Sequence, residues 1–370
     1  MDKFYFWKMM LLILILFIIV PFLFSNCSNG NSTDEDQGDL VAPLVISEPV
    51  KHDTDDPAIW LHPTDPSKSL IIGTDKNADG ALYVFDLDGK IIEEKTVHDL
   101  KRPNNVDVEY GLVLNGVPTD IAVTTERLAN KIRVFSLPDM IEIDKGGIEV
   151  FAGESQRAPM GISLYKRGSD SVIFAVVGRK EGPKDGSYLW EYRLEDDGTG
   201  KVMGTKVREF GIWSGKKEIE AIAVDDALGY VYYSDEGLGI RKYYADPDVK
   251  DANSELALFA TEGFEEDQEG ISIYAINDGT GYIIVSDQSA NELHIFRRGG
   301  EPDDPHNHQL VKIVKVLANN SDGSEVTNAI LNDTFPVGLF VAMSDDRTFQ
   351  FYSWENIAGK DLAIAPNGQR

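Results

Sequence analysis

At 370 residues with 42% hydrophobic content, the chain is long enough for one large domain or two ordinary ones, and global disorder is excluded. Its formal charge of −27, from 62 acidic against 35 basic residues, sets the surface against a nucleic-acid partner. The single cysteine, Cys27, excludes any disulfide framework.

Lys3 and Lys8 precede a nearly unbroken apolar run from Met9 to Phe24, and Ser25-Asn26-Cys27 follows. Residues 1–26 read as an export signal to be kept out of the fold, with Cys27 lipidated as the first residue of the mature chain. Asn26 stands where Gly or Ala is usual, so an ordinary signal peptide, or an uncleaved anchor with an incidental cysteine, is the competing reading. Residues 27–40 are polar and acidic, as a flexible tether is. The expectation is an outer-membrane or cell-surface lipoprotein, otherwise periplasmic or secreted, touching membrane only through its anchor.

From residue 41 to residue 360 a unit recurs: a β-run, a short polar turn, and a second β-run ending in an aromatic. Leu70-Ile-Ile-Gly-Thr-Asp with Leu82-Tyr-Val-Phe is the first, and Leu339-Phe-Val-Ala-Met-Ser with Phe349-Gln-Phe-Tyr is the last. Aligning Thr74, Thr125, Gly178, Ser234, Ser286 and Ser344 gives spacings of 51 to 58 residues. A shorter apolar strand precedes each pair, from Asp56-Pro-Ala-Ile-Trp to Pro336-Val-Gly-Leu, the last merged with its successor. A fourth β-rich piece often follows, such as Lys90–Lys95 or Leu310–Val316. Helical periodicity is nearly absent. The pattern predicts an all-β, six-bladed propeller. Val41–Val50, a spare β-run, is expected to fill the sixth blade and close the ring, and residues 361–370 form a tail. A sandwich or two-domain β protein is the structural alternative.

In a propeller blade the innermost strand begins on the face where the turn between second and third strands lies. Asp55, Asp56, Asn104, Asn105, Asp107, Glu220 and Glu269 should therefore meet Asp75, Lys76, Glu126, Arg127, Arg179, Lys180, Asp235, Glu236, Asp287 and Asp345 at one channel mouth. Cations concentrate in blades one to three (Lys76, Arg127, Arg179, Lys180, with Arg102 nearby), and carboxylates in blades four to six. Such a mouth suits phosphate oxygens on one side and hard cations on the other. Calcium, with 6–8 oxygen ligands and tolerance of irregular geometry, is the natural ion. Any one acidic turn residue is as readily explained by the fitness of Asp for turns; the segregation of charge around the ring is the stronger signal. His306 and His308, in a Pro-Asp-rich loop, are expected in solvent, and His52, His62, His98 and His294 in structural roles.

Several stretches resemble the β-propeller phytases across residues 41–358: Asp55-Asp-Pro-Ala-Ile-Trp60, Thr74-Asp-Lys76, Asn104-Asn-Val-Asp107, Glu220-Ala-Ile-Ala-Val-Asp-Asp226, Glu269-Gly-Ile-Ser-Ile-Tyr274 and Pro336-Val-Gly-Leu-Phe-Val-Ala342. The resemblance implies a propeller with several calcium ions that hydrolyses myo-inositol hexakisphosphate (phytate), acting on a small molecule and expected to be a monomer. Carried over by motif, Lys76, Arg127 and Lys180 would hold phosphate. Asp55, Asp56, Asp107, Glu220, Glu236, Glu269 and Asp287 would ligate calcium or act through its water, and Asp322 and Glu325 match the acidic stretch entering the last blade. The expected chemistry is in-line attack by calcium-activated water with no covalent intermediate, Glu220 or Glu236 orienting the water. Three positions depart from the pattern: Met160 replaces a usual Tyr, Glu126 precedes Arg127 where Asn is usual, and Arg179-Lys180 leaves open which cation holds phosphate. A calcium lactone hydrolase and a non-catalytic binding propeller are the rival readings.

Overall fold

In the computed structural model, residues 40–366 are described; the signal segment, Cys27, nearly all of the tether and the last four residues of the expected tail lie outside them. Among the described residues the strands form six antiparallel sheets. The innermost strands are, in order, Thr54–Trp60, Pro103–Leu114, Pro159–Lys166, Ile222–Asp225, Gln268–Ala275 and Ser324–Thr327. Each packs on the next and the sixth on the first, which closes a six-bladed ring. The outermost place in blade six is taken by Val45–Ile46, paired antiparallel to Phe351 and Gln350.

The second and third strands read as unbroken apolar runs because both faces of each blade are covered by neighbours. Ile71, Tyr83 and Phe85 of blade one interleave with Leu339, Val341, Phe349 and Phe351 of blade six. A β-carbon on Gly73 would fall inside the Phe349 ring, so this contact needs glycine.

The repeat register has a hydrogen-bonding cause. The Thr125 hydroxyl accepts from the Asn105 amide at 3.3 Å and donates to the Met160 carbonyl of the next blade at 2.6 Å. Ser286 accepts from the Gly270 amide at 2.8 Å and donates to the Ser321 carbonyl at 2.9 Å. Ser234 donates likewise to the Gln268 carbonyl, and Thr74 accepts from the Asp56 amide at 2.9 Å. In blades two and five one buried hydroxyl thus ties its own inner strand to the following blade, whereas Thr74 turns back to its own blade and donates to the Asp56 carbonyl at 3.3 Å. The acid after it clamps the entering loop: Asp75 takes the Asp53 amide, Glu126 the Lys101 amide, Asp235 the Ser214 amide and Asp287 the Glu265 amide.

Three expectations are corrected. The fourth strand of blade one is Val97–Leu100, while Glu93–Lys95 forms a 3-10 turn; Ile91 makes only a single bridge to Phe85, and the charged Glu93-Glu94-Lys95 has no face to bury. The inner strand of blade six is Ser324–Thr327 rather than the Pro336 segment. That strand lines the channel with Glu325 and so reads as polar. His308 is buried against Phe259 with Lys242 beside it, not solvated.

We expect Ser286→Ala, which deletes both inter-strand hydrogen bonds at a buried site, to destabilise the domain by about 1–3 kcal/mol. Urea unfolding checks this through a lowered midpoint at unchanged slope.

Candidate active site at one channel mouth

Four inner strands carry a register shift at the same place: between Thr54 and Pro57, Pro103 and Val106, Pro159 and Ile162, and Gln268 and Ile271. A bulge bends its strand and re-aims side chains. The residues inside these bulges are Asp55-Asp56, Asn104-Asn105, Met160-Gly161 and Glu269-Gly270. Glu220 holds the corresponding place before Ile222–Asp225. Position 161 has no room for a side chain, since a β-carbon there would overlap the Glu220 carbonyl.

These residues join into one network. The Asn104 amide donates to Asp55 Oδ2 at 2.8 Å and to Glu220 Oε1. The Lys76 ammonium pairs with Asp55 and lies 3.3 Å from Asp322 Oδ2, whose other oxygen accepts from Gln288. Burial by itself would lower Lys76, but Asp55, Glu220 and Asp322 hold it well above the usual lysine range, so it stays charged. Arg127 is buried beside Met160. Burial lowers its guanidinium, Glu220 opposes that, and nearby Arg102 adds to it. The Nε atoms of both arginines lack a protein partner.

Next to this network the carboxylates of Glu220, Glu236 and Glu269 each offer an oxygen within 4.8 Å of the others. All three are buried. Burial, then Glu220, Glu218 and Asp267, push the Glu236 carboxyl up to about 8, and burial with Glu236 and Glu220 raises Glu269. Glu236 Oε1 and Asp267 Oδ1 are buried without a hydrogen-bond partner. Orphaned carboxylate oxygens that converge and repel fit a hard divalent cation. A cleft of about 500 Å³ opens beside them, lined by Lys180, Lys217, Glu218, Glu236, Asp267 and Glu269 among others. Deeper in the channel all six inner strands border a cavity of about 120 Å³ that holds Asp56, Asp107 and Glu325. There burial lifts Asp107 to about 6, and burial with Asp107 lifts Glu325 to about 8.

A sequence model of phytases matches residues 9–361. The chain belongs to the phytase family. It is 31% identical over 322 residues to the 3-phytase of Bacillus subtilis (strain 168), covering 82% of this chain and 80% of that one. The solved Dos1 propeller aligns over 81% of this chain and 67% of that chain at 12% identity and a TM-score of 0.40, a likeness too weak to carry any argument.

The structure brings Lys76, Arg127, Asp55, Glu220, Glu236, Glu269 and Asp322 of the phytase-family candidates together and sorts the others. Arg179 is fully buried inside blade three, donating to the carbonyls of Tyr188, Gln156 and Ser187 with Phe151 against its guanidinium. Its neighbour Lys180 reaches the cleft, 2.8 Å from Glu218 Oε2 and half exposed. Asp235 and Asp287 are loop clamps, and Asp287 clusters with Glu292 and His294 instead of with the glutamates. Asp345 is held by the side-chain amides of Asn319 and Asn320. Asp267 and Glu218 escaped the sequence reading. Their signal lay in being acidic one residue before Gln268-Glu269 and two residues before Glu220.

Raised carboxyl groups bind protons more tightly in the folded than in the unfolded chain. The stability they contribute is complete below the ordinary carboxylate range and is lost as pH rises through their folded values. With chelator, we expect the melting temperature to fall between about pH 5 and pH 8, as Glu236 and Glu325 are forced to ionise. With calcium in excess the fall should be much smaller, and differential scanning calorimetry at a series of pH values tests both.

Proposed function

We propose that the protein hydrolyses phosphate monoesters of myo-inositol hexakisphosphate, with calcium at the channel mouth and without a covalent intermediate. The observation that carries this reading is the buried network in which Lys76 and Arg127 lie against Asp55, Glu220 and Asp322, beside the glutamate trio. A cationic wall fused to a carboxylate wall accepts a polyanion only in the company of metal ions, and phytate brings both charge and chelating power. The 3-phytase likeness points to the same substrate.

Glu220, Glu236 and Glu269, with Asp267, Asp55 and Asp322 around them, would hold calcium at the mouth, and Asp56, Asp107 and Glu325 would hold it within the channel. Bound there, calcium supplies the positive charge that polarises phosphoryl oxygens and makes water more acidic. The rest falls to the chain. Lys76, kept protonated by three acids, lies against the transferred group and balances the charge that grows on it. Arg127 donates its unpartnered Nε to a phosphoryl oxygen. Glu220 or Glu236, beside the metal position, would orient the attacking water or take its proton. Lys180, on the rim of the cleft, is free to swing toward a second phosphate group of the same substrate.

Export and a lipid anchor at Cys27 belong to the same proposal, supported by the basic start, the apolar run Met9–Phe24 and the cysteine that follows.

Inorganic phosphate release from phytate by the full-length chain is expected with calcium, to vanish with chelator, and to return when calcium is restored. Lys76→Ala should lower kcat on the order of 100-fold or more while leaving the fold intact. No release from folded protein under any of these conditions would overturn the reading.

A further inference from the structure

The turn between the second and third strands of blade five carries a cluster outside the phosphate site. Asp287 ends one strand and Glu292 begins the next, directly opposite it in the register. His294, two residues on, lies on the same face as Glu292 because side chains alternate along a strand. The pairing alone therefore brings two carboxylates and an imidazole together, and their ligand atoms lie within 4.8 Å of one another.

His294 is completely buried, and neither of its ring nitrogens has a hydrogen-bond partner. Its Nε2 is directed between Glu292 Oε2 at 3.6 Å and Asp287 Oδ2 at 3.9 Å, both beyond hydrogen-bond reach. The Phe264 ring stacks on the imidazole with centroids 4.0 Å apart. Burying an imidazole with both nitrogens unused is costly, and a core role would be served as well by an apolar ring.

We propose that Asp287, Glu292 and His294 form a binding site for a divalent transition ion of the zinc type, separate from the calcium carboxylates. Tetrahedral ligands about 2.0–2.1 Å from zinc stand roughly 3.3 Å apart, so the 3.6 and 3.9 Å gaps from His294 Nε2 to Glu292 and Asp287 close with shifts of about half an ångström. Three protein ligands leave a fourth position for water. Calcium is the wrong ion here: it wants six or more oxygens, and the site offers a nitrogen under an aromatic lid. Asp287 keeps lone pairs free although it accepts from the Glu265 and Ala290 amides. Glu292 also faces Lys315 at 3.4 Å, a half-exposed partner that can turn away. The next residue after Asp287 is Gln288, whose amide holds Asp322 beside Lys76, so an ion here stiffens the turn that positions part of the phosphate site.

The test loads the full-length protein with zinc in a large excess of calcium, dialyses it against calcium buffer, and measures retained zinc by atomic absorption. Wild type should keep one equivalent and melt at a higher temperature for it. Glu292→Gln and His294→Gln should lose the equivalent and the zinc-dependent rise in melting temperature, whereas Glu236→Gln, which alters only the calcium carboxylates, should keep both. Glu292 is partly exposed, so its variant should fold even if His294→Gln does not. Cobalt offers a second readout, with visible absorption bands of a nitrogen–oxygen site in wild type and none in Glu292→Gln. Retention of no zinc by wild type, or of equal zinc by Glu292→Gln, overturns the proposal.

Discussion

The molecule is organised around an electrostatic conflict: its fold gathers more buried carboxylates at one end of a channel than can be ionised together. Glu220, Glu236 and Glu269 lie within a few ångströms of each other, with Asp55, Asp267 and Asp322 around them. In a protein interior such repulsion amounts to several kcal/mol per pair even at a generous effective dielectric constant. Lys76 relieves part of it and is itself locked into the charged state by doing so. Protons can relieve the remainder, as the upward shifts of Glu236 and Glu269 register, or cations can. A site that must choose between protons and metal ions is poised to bind metal as pH rises, and a metal-lined anionic pocket is what a polyphosphate substrate needs.

The conflict persists because the backbone enforces it. Each bulge at the start of an inner strand turns consecutive residues toward the mouth, and each buried hydroxyl fixes that bulge against the next blade. The acid that follows the hydroxyl draws in the loop that delivers its own blade's inner strand. Where bulge, hydroxyl and acid occur together, as in blades two and five, three polar positions define the geometry, while the apolar residues only require that blades have two covered faces. Relaxing the crowding would mean unpicking several inter-blade hydrogen bonds at once, which the ring does not permit locally.

The same arrangement explains what was legible in the sequence. Thr125, Ser234 and Ser286 recur at near-constant spacing because each donates to a carbonyl of the next blade, and Thr74 holds the same place with its bonds inside blade one, so the six units stood out without any knowledge of the fold. Inner-strand residues such as Asp55 and Glu269 were legible as mouth residues because they open an apolar run. The acids at 235 and 287 repeat because they clamp the loops entering their blades, a duty that their place in the turns did not announce. Arg179 and Lys180 are adjacent and both basic, yet alternation sends one into the blade and the other to solvent, a choice that no composition argument makes. His294 reads as an ordinary strand residue until the hairpin register sets Asp287 across from Glu292. Asp267 and Glu218 sit in loops, whose paths are not written in any periodicity.

Met160 gives the mouth its individual character. A thioether lies against Arg127, and it offers a phosphate oxygen no strong donor, whereas the phenol common at that position in the family would offer one. The loss falls beside a guanidinium whose Nε is already without a protein partner, and Arg102 adds a second such nitrogen close by. Two buried guanidinium nitrogens are thus left without a protein partner on this side of the mouth. Guanidinium groups grip phosphate through paired N–H donors in a rigid planar fork, so binding on this side rests on charge together with a defined hydrogen-bond geometry. Both sides of this phytase-family mouth therefore constrain how a phosphate group is held, the cationic side through guanidinium geometry and the other through carboxylates fixed by the blades.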